Sequence, residues 1–342
     1  MKKILLFILV FAVVLAAARV QRFETQDVRG TRWYRGNTHT HTTESDGDSP
    51  PEVVARWYKE HQYQFLVLSD HNVLTDPARL AAMVDSGFLL IAGEEVSASF
   101  RQKPVHVNGL NIPRVIEARS DTTLVGTIQR NVDAIRDVRG VPHINHPNFR
   151  WAFGAAELLQ VRNDRLLEIY NGHPQVHNEG GGGAPGMEAI WDEVLTAGKR
   201  VYGIAVDDAH HFAGEFAADR ANPGRGWVAV RATRLDAGEI MAALESGRFY
   251  ASTGIELEDV ATTSGRIEIR IRPRGDFRYT TTFIGDGGAI LGEVHGTTAT
   301  FRLDAATRRL AYVRARVTDS GGFRAWIQPV FTERQRPADT QR

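Results

Sequence analysis

Asn37-Thr38-His39-Thr40-His41-Thr42-Thr43-Glu44-Ser45-Asp46-Gly47 sets two histidines two residues apart and follows them with a carboxylate in a turn. On a strand, side chains two apart project from the same face, so His39 and His41 can grip one ion. Ser45-Asp46-Gly47 is a turn able to return a carboxylate to the same rim. Taken alone, the pair is explained as readily by two surface histidines. Working outward, the pattern recurs in Leu68-Ser69-Asp70-His71-Asn72, Gly93-Glu94-Glu95, Val105-His106-Val107, His143-Ile144-Asn145-His146-Pro147, Glu168-Ile169-Tyr170 and Asp207-Asp208-Ala209-His210-His211. Eleven of the twelve histidines lie between His39 and His211. Neutral imidazoles with carboxylates suit borderline-hard divalent metals. Ligands spread this widely can meet only if the fold gathers strand ends.

The segments between these clusters read as strands and helices in alternation. Phe65 to Leu68, Phe88 to Ala92, Val141 to Ile144, Leu166 to Tyr170 and Val201 to Val206 are short apolar runs of buried-strand type. Ser49-Pro50-Pro51-Glu52 is a capping box before a helix carrying Val53, Val54, Trp57 and Tyr58. Asp76-Pro77 opens a second helix, a third contains Ile128, Val132 and Ile135, and a fourth spans Glu188 to Ala197. Polar residues at strand C-terminal ends predict a βα arrangement of about seven strands, with the site on one face of a parallel barrel or sheet. Asn178 to Gly186 is a glycine-rich connection lacking the Gly-Lys-Ser/Thr of a phosphate-binding loop, and so a mobile link or a lid. After Gly254 the period becomes two, as in Arg266 to Arg272, which predicts an antiparallel β appendage with one histidine, His295.

Composition bounds the rest. Hydrophobic content of 42% and charged content of 24% in 342 residues fit a globular protein with one large and one smaller domain. Lys plus Arg equals Asp plus Glu at 41 each, so no bulk field attracts nucleic acid or an anionic membrane. No nucleic-acid partner is expected on that ground. Lys2-Lys3 followed by the apolar run Ile4 to Ala18 reads as a signal peptide, the alternative being an uncleaved anchor. Export to a periplasm or medium follows as an expectation, with no stable membrane insertion after cleavage. The absence of Cys removes disulfides and a lipoprotein anchor. The expected organisation is therefore signal peptide at 1–18, metal-binding unit at 30–253, β appendage at 254–332 and a disordered charged tail at 333–342.

Within the clusters, Glu94 and Glu95 point to opposite faces of an extended chain, so only one can be a ligand. Asp70 is read as a carboxylate orienting an imidazole. His146 is a better ligand than His143, and His173 is open. His61, His177 and His211 are assigned to solvent or supporting positions.

Together these residues resemble the PHP family, named for polymerase and histidinol phosphatase domains. His39-Thr-His41 with Ser45-Asp46-Gly47, Leu68-Ser-Asp-His71-Asn, Gly93-Glu-Glu95, His106-Val-Asn-Gly-Leu110, His146-Pro147 and Asp208-Ala-His210 arrive in the family's order. The branch containing carbamate-ester hydrolases looks most similar, through Arg220-Ala-Asn-Pro-Gly-Arg225-Gly-Trp227 and Ala243 to Gly254. The resemblance implies a distorted seven-stranded, TIM-like βα barrel holding two or three divalent ions, Zn, Mn or Fe. It implies that His39, His41, Glu95 and Asp208 hold one ion, that Glu95 bridges to a second held by His106 and His146, and that Asp46, His71 and His210 hold a third. The histidine that the family often places after its Glu-bearing strand is matched only loosely, by His173.

Asp70, Glu95 and Asp208 are then the catalytic candidates. Arg220 and Arg225 are candidates for gripping a substrate anion, or else structural salt-bridge partners. Paired ions about 3.5–4 Å apart activate water for ester cleavage. The function expected is an exported phosphoesterase acting on a small phosphoester. A carboxylic or carbamic ester hydrolase on the same metals and a non-catalytic metal-carrying binding module stay open beside it. Oligomeric state is undetermined.

Overall fold

The computed structural model describes residues 30–332. The proposed signal peptide at 1–18 and the charged tail at 333–342 lie outside the described residues. In chain order the elements are β1 (Arg32–Asn37), α1 (Pro51–Glu60), β2 (Phe65–Val67), β3 (Leu89–Ile91), β4 (Gly93–Phe100), β5 (Lys103–Leu110), α2 (Leu124–Asp137), β6 (Val141–Ile144), α3 (Ala155–Leu158), β7 (Leu166–Asn171), α4 (Met187–Thr196) and β8 (Tyr202–Val206). They continue through β9 (Trp227–Ala232), α5 (Ala237–Glu245), β10 (Phe249–Ser252), β11 (Leu257–Thr263), β12 (Arg266–Ile271), β13 (Tyr279–Gly285), β14 (Ala289–His295), β15 (Thr298–Arg302), β16 (Tyr312–Asp319) and β17 (Arg324–Phe331).

The helices form where periodicity places an apolar stripe. In α2, Ile128, Val132 and Ile135 are buried on one side, and Thr123 caps the helix by accepting from Gly126 N–H at 2.9 Å. In α1, Val54, Ala55 and Tyr58 are buried. Its start departs from the expected capping box: Pro50 is the N-cap, and the Ser49 hydroxyl donates to Asp48 instead. The Asp76 turn becomes a short 3₁₀ segment over Pro77–Met83, with Asp76 accepting from Ala78 N–H.

The strands build an α/β architecture of three sheets. A nine-stranded sheet runs β14-β13-β16-β17-β10-β9-β1-β2-β3, a five-stranded sheet runs β4-β5-β6-β7-β8, and β11-β12-β15 form a third. Strands β1, β2 and β3 pair in parallel, as do β6, β7 and β8. Among the described residues no closed barrel of continuous ladders forms. The two large sheets meet at isolated bridges, Thr40 with Ala209 and His71 with Glu95, just beyond the C-terminal ends of β1, β2 and β8. The departure from an all-parallel barrel lies in β4 and β5, an antiparallel hairpin whose second strand also pairs antiparallel with β6. Lys103 follows Phe100 too closely for a crossover helix, so the chain can only fold straight back. The antiparallel strands after Gly254 do not all stand apart: β13, β14, β16 and β17 continue the sheet of β1 through β10.

Candidate metal centre

The nine residues expected as ligands come together at this junction of sheets. His39 and His41 lie in the continuation of β1, with Thr40 between them bridging Ala209, and both rings are fully buried. The chain then doubles back to present Asp46. Gly47 permits this, because a Cβ there would lie 2.8 Å from the His41 carbonyl group. Asp208 leaves β8 in the left-handed region at φ 49°, a conformation uncommon for a non-glycine residue and typical of functional sites. Asp207, its neighbour, faces the other way and accepts from Tyr58 hydroxyl and from the N–H groups of Arg225 and Gly226.

Glu95 is the shared residue. Its Oε1 lies 3.5 Å from His39 Nε2, 2.9 Å from His106 Nδ1 and 3.3 Å from His146 Nε2. Its Oε2 lies 3.5 Å from His41 Nε2 and 2.8 Å from His71 Nδ1. Asp208 Oδ1 sits 3.2 Å from His39 Nε2 and 3.1 Å from His41 Nε2. Asp46 gathers the remaining edge, at 3.5 Å from His41 Nδ1, 3.5 Å from His71 Nε2 and 3.3 Å from His210 Nε2. Glu94 points away, accepting from Ile116 N–H at 2.5 Å, as the alternation of an extended strand requires.

The donor set fits divalent ions. His39 Nε2, His41 Nε2 and Glu95 Oε2 are buried and make no well-directed hydrogen bond, although charged neighbours stand 2.8–3.5 Å away, the arrangement of ligand atoms aimed at a common centre. Tetrahedral ligation at about 2.1 Å places ligand atoms about 3.4 Å apart, and the His39, His41, Glu95 and Asp208 atoms stand 3.1 to 3.5 Å apart along the four contacts above. Three further groups of the same kind overlap with this one: His39, Glu95 and His146; His71, Glu95 and His106; and His41, Asp46, His71 and His210.

Charge and proton position follow from the same contacts. His39 Nδ1 donates to Glu168 Oε1 at 2.6 Å, which turns Nε2 toward Glu95 and Asp208. Burial would lower the His39 pKa, but Asp208, Glu95 and Glu168 hold it well above its ordinary value. Burial and the charge of His210 instead bring His41 down to about 4, against the pull of Asp208. Burial also opposes the charge on His71, yet Glu95 and Asp46 raise it to about 10. Glu95 and Asp208 would be pushed up by burial, and the surrounding imidazoles keep both well below the usual carboxylate range. The pocket is thus a buried pair of ionised carboxylates ringed by imidazoles.

Several supporting residues carry weight that the sequence reading did not give them. Glu168 holds His39 through Oε1 and accepts from His146 N–H at 2.7 Å and Asn171 Nδ2 at 2.9 Å through Oε2. Asn145 donates to Glu95 Oε1 at 2.7 Å and to Asn108, whose own amide reaches the Thr38 carbonyl. Asn171 also donates to Asp208 at 3.0 Å. The available signal was Glu168 within Leu166-Leu-Glu-Ile: a carboxylate on an otherwise apolar strand needs a buried partner.

Asp70 requires a correction. It touches no imidazole. Its oxygens accept from Thr42 N–H, Thr42 hydroxyl and Ser45 hydroxyl at 2.7–2.8 Å, so it fixes the turn carrying Asp46. Arg225 gives Nη1 to the Gly172 carbonyl and Nη2 to the Ala217 carbonyl, and Arg220 faces Asp48 at 3.5 Å, so both brace loops here. His143 is buried beside Glu168 at 3.5 Å, and burial, the leading cause, lowers it to about 4. His173 accepts from Gln175 N–H through Nδ1, with its ring centre 5.3 Å from that of His210. His61 stacks on Trp57 and His177 on Trp151, both exposed, while His211 is half-buried. A cavity of 860 Å³ between α4 and the strands β13, β16 and β17 includes none of these ligands.

Over 91% of its length the chain superposes on 99% of a two-domain protein of Bacteroides vulgatus containing a predicted PHP-like metal-dependent phosphoesterase, with a TM-score of 0.50 and 15% identity. The chain has a PHP-like fold. No protein-family model matches it. Two curated relatives align in part. A 5'-3' exoribonuclease of Haemophilus influenzae is 38% identical over 79 residues, 22% of this chain and 28% of that one. The 5'-3' exoribonuclease Rnm of Salmonella typhimurium is 28% identical over 199 residues, 55% of this chain and 64% of that one. The chain therefore spans less than two thirds of either relative, and neither is named as a carbamate-ester hydrolase. Both names overturn the expectation that nucleic acid has no place beside this PHP-like chain. The balance of 41 basic and 41 acidic residues is a sum over the whole chain, and it says nothing about the charge around one groove.

Proposed function

We propose that the protein is a metal-dependent phosphoesterase whose centre holds two or three divalent ions through His39, His41, Asp46, His71, Glu95, His106, His146, Asp208 and His210. The observation that supports this most strongly is Glu95, one buried carboxylate within 3.5 Å of five imidazoles. When bound, such ions supply Lewis acidity toward a phosphoryl oxygen and acidify a water molecule.

The protein's own part is positional. Glu168 keeps the His39 proton on Nδ1, Asn145 and Asn108 hold Glu95 in line with the Thr38 carbonyl, and Asp70 fixes the turn bearing Asp46. Burial of His39, His41 and Glu95 excludes bulk water from one wall, whereas Asp46 and His71 at the opposite edge are partly open to solvent. Substrate therefore enters from the side of Asp46 and His71. The names of the two relatives bring a phosphodiester of RNA forward as the substrate. The test is hydrolysis of bis-p-nitrophenyl phosphate and p-nitrophenyl acetate by protein loaded with Zn, Mn or Fe. Chelator-sensitive cleavage of the phosphodiester supports the reading, and cleavage of the acetate alone overturns it.

A further inference from the structure

We infer that Trp151, backed by His177, is a stacking platform for a base of single-stranded nucleic acid whose phosphodiester lies over the metal centre. The inference rests on the phosphoesterase reading and names its substrate class. The loop after β6 leads directly out of the centre: Phe149 sits three residues beyond His146, with ring centres 5.2 Å apart, and 6.2 Å from His173. Arg150 and Trp151 then both adopt left-handed backbone, at φ 51° and 54°. Two consecutive non-glycine residues in that region are strained and persist only where the surroundings impose them. Here the turn is imposed by Phe149 N–H on the His146 carbonyl, Trp151 N–H on the Asn148 carbonyl and Ala152 N–H on the Pro147 carbonyl.

The result is a large indole held outward, 41% exposed, on a rigid turn beside the site. One of its faces is covered by the exposed ring of His177, nearly parallel at 11° with centres 4.6 Å apart. Nor is that contact accidental. Buried Asn148 donates to the His177 carbonyl and to the Pro185 carbonyl, both at 2.9 Å, fastening the loop that carries Trp151 to the loop that carries His177. Arg150, exposed between Phe149 and Trp151, adds a cationic fork suited to a phosphate. A pre-ordered aromatic face with an arginine beside it matches the way single strands are bound without sequence preference. A small phosphoester without a base would leave the aromatic face unused.

The test compares a short single-stranded oligoribonucleotide with the same strand made abasic. Base–aromatic stacking is worth about 1–3 kcal/mol. With metal-loaded protein, the abasic strand should therefore show a KM about tenfold higher than the base-bearing strand. Trp151→Ala should bring that ratio close to one, and Trp151→Phe should restore most of it. In chelator, where no hydrolysis occurs, the base-bearing strand should quench tryptophan fluorescence in the wild type and not in Trp151→Ala. Equal ratios in wild type and Trp151→Ala, or a quench that survives in Trp151→Ala, would overturn the platform. If the loaded protein cleaves neither strand nor bis-p-nitrophenyl phosphate, the phosphoesterase reading fails and the quench alone decides the platform.

Discussion

Glu168→Gln changes one oxygen to nitrogen, and the structure says why it should matter. Glu168 faces three donors: His39 Nδ1–H at 2.6 Å, His146 N–H at 2.7 Å and Asn171 Nδ2 at 2.9 Å. A carboxylate satisfies all three, but a carboxamide has only one accepting end. If the amide nitrogen turns toward His146 and Asn171, three N–H donors meet, and at least one buried donor is left unpaired at about 1–3 kcal/mol. If it turns toward His39, the imidazole must give up its Nδ1 proton and carry it on Nε2, the atom that faces Glu95 and Asp208. A protonated Nε2 cannot ligate.

Either way, metal affinity should fall about 10–100-fold, the usual effect of losing the partner of a ligating imidazole. Competition against a chromophoric chelator reads this directly, and circular dichroism confirms that the fold survives. Affinity within twofold of wild type in a folded Glu168→Gln protein would refute the argument that His39 is held by Glu168 for ligation.

Three further outcomes follow from particular residues. Burial raises the Glu94 carboxyl to about 7, above its unfolded value, so its contribution to stability is present at low pH and is lost as pH rises through about 7. Glu94→Gln should accordingly keep its metal, and its urea midpoint should fall less than that of wild type between pH 5 and pH 8. His295, exposed on β14 and paired with Thr280, should tolerate alanine with full metal content and turnover, whereas Asp208→Ala should lose metal and activity together, as elemental analysis beside a kinetic assay would show. Removal of residues 1–18 should leave protein that purifies without detergent, since the apolar run Ile4 to Ala18 is the segment read as a signal peptide; aggregation relieved only by detergent would contradict this.

What was legible in the sequence was the ligand chemistry and the rhythm of its delivery. Each apolar run from Phe65 to Val206 became a strand within a residue or two, because short β-branched and leucine-rich segments flanked by turns have few alternatives. The alternation rule allowed only one of Glu94 and Glu95 in the site, and the family resemblance chose Glu95. Pairing direction was legible only in part: the two residues between Phe100 and Lys103 force β5 back on β4, but nothing in Val141 to Ile144 shows that β6 pairs antiparallel with β5. Nor could periodicity show that β17 would pair with β10 and merge the C-terminal strands into the main sheet, a long-range choice made by packing. Supporting contacts were the least visible. Asp70 sits next to His71 in sequence yet serves the Thr42–Ser45 turn, while Glu168 serves a histidine 129 residues away.

The central claim is a multinuclear centre organised on one shared carboxylate, and the metal-to-protein ratio of purified wild type and Glu95→Gln tests it most directly. Inductively coupled plasma mass spectrometry on both should find two or three divalent ions per chain in the wild type. At most one should remain in Glu95→Gln, retained by Asp46, His71 and His210. A Glu95→Gln protein with the full wild-type complement, or a wild type that holds fewer than two ions under metal excess, would contradict the account.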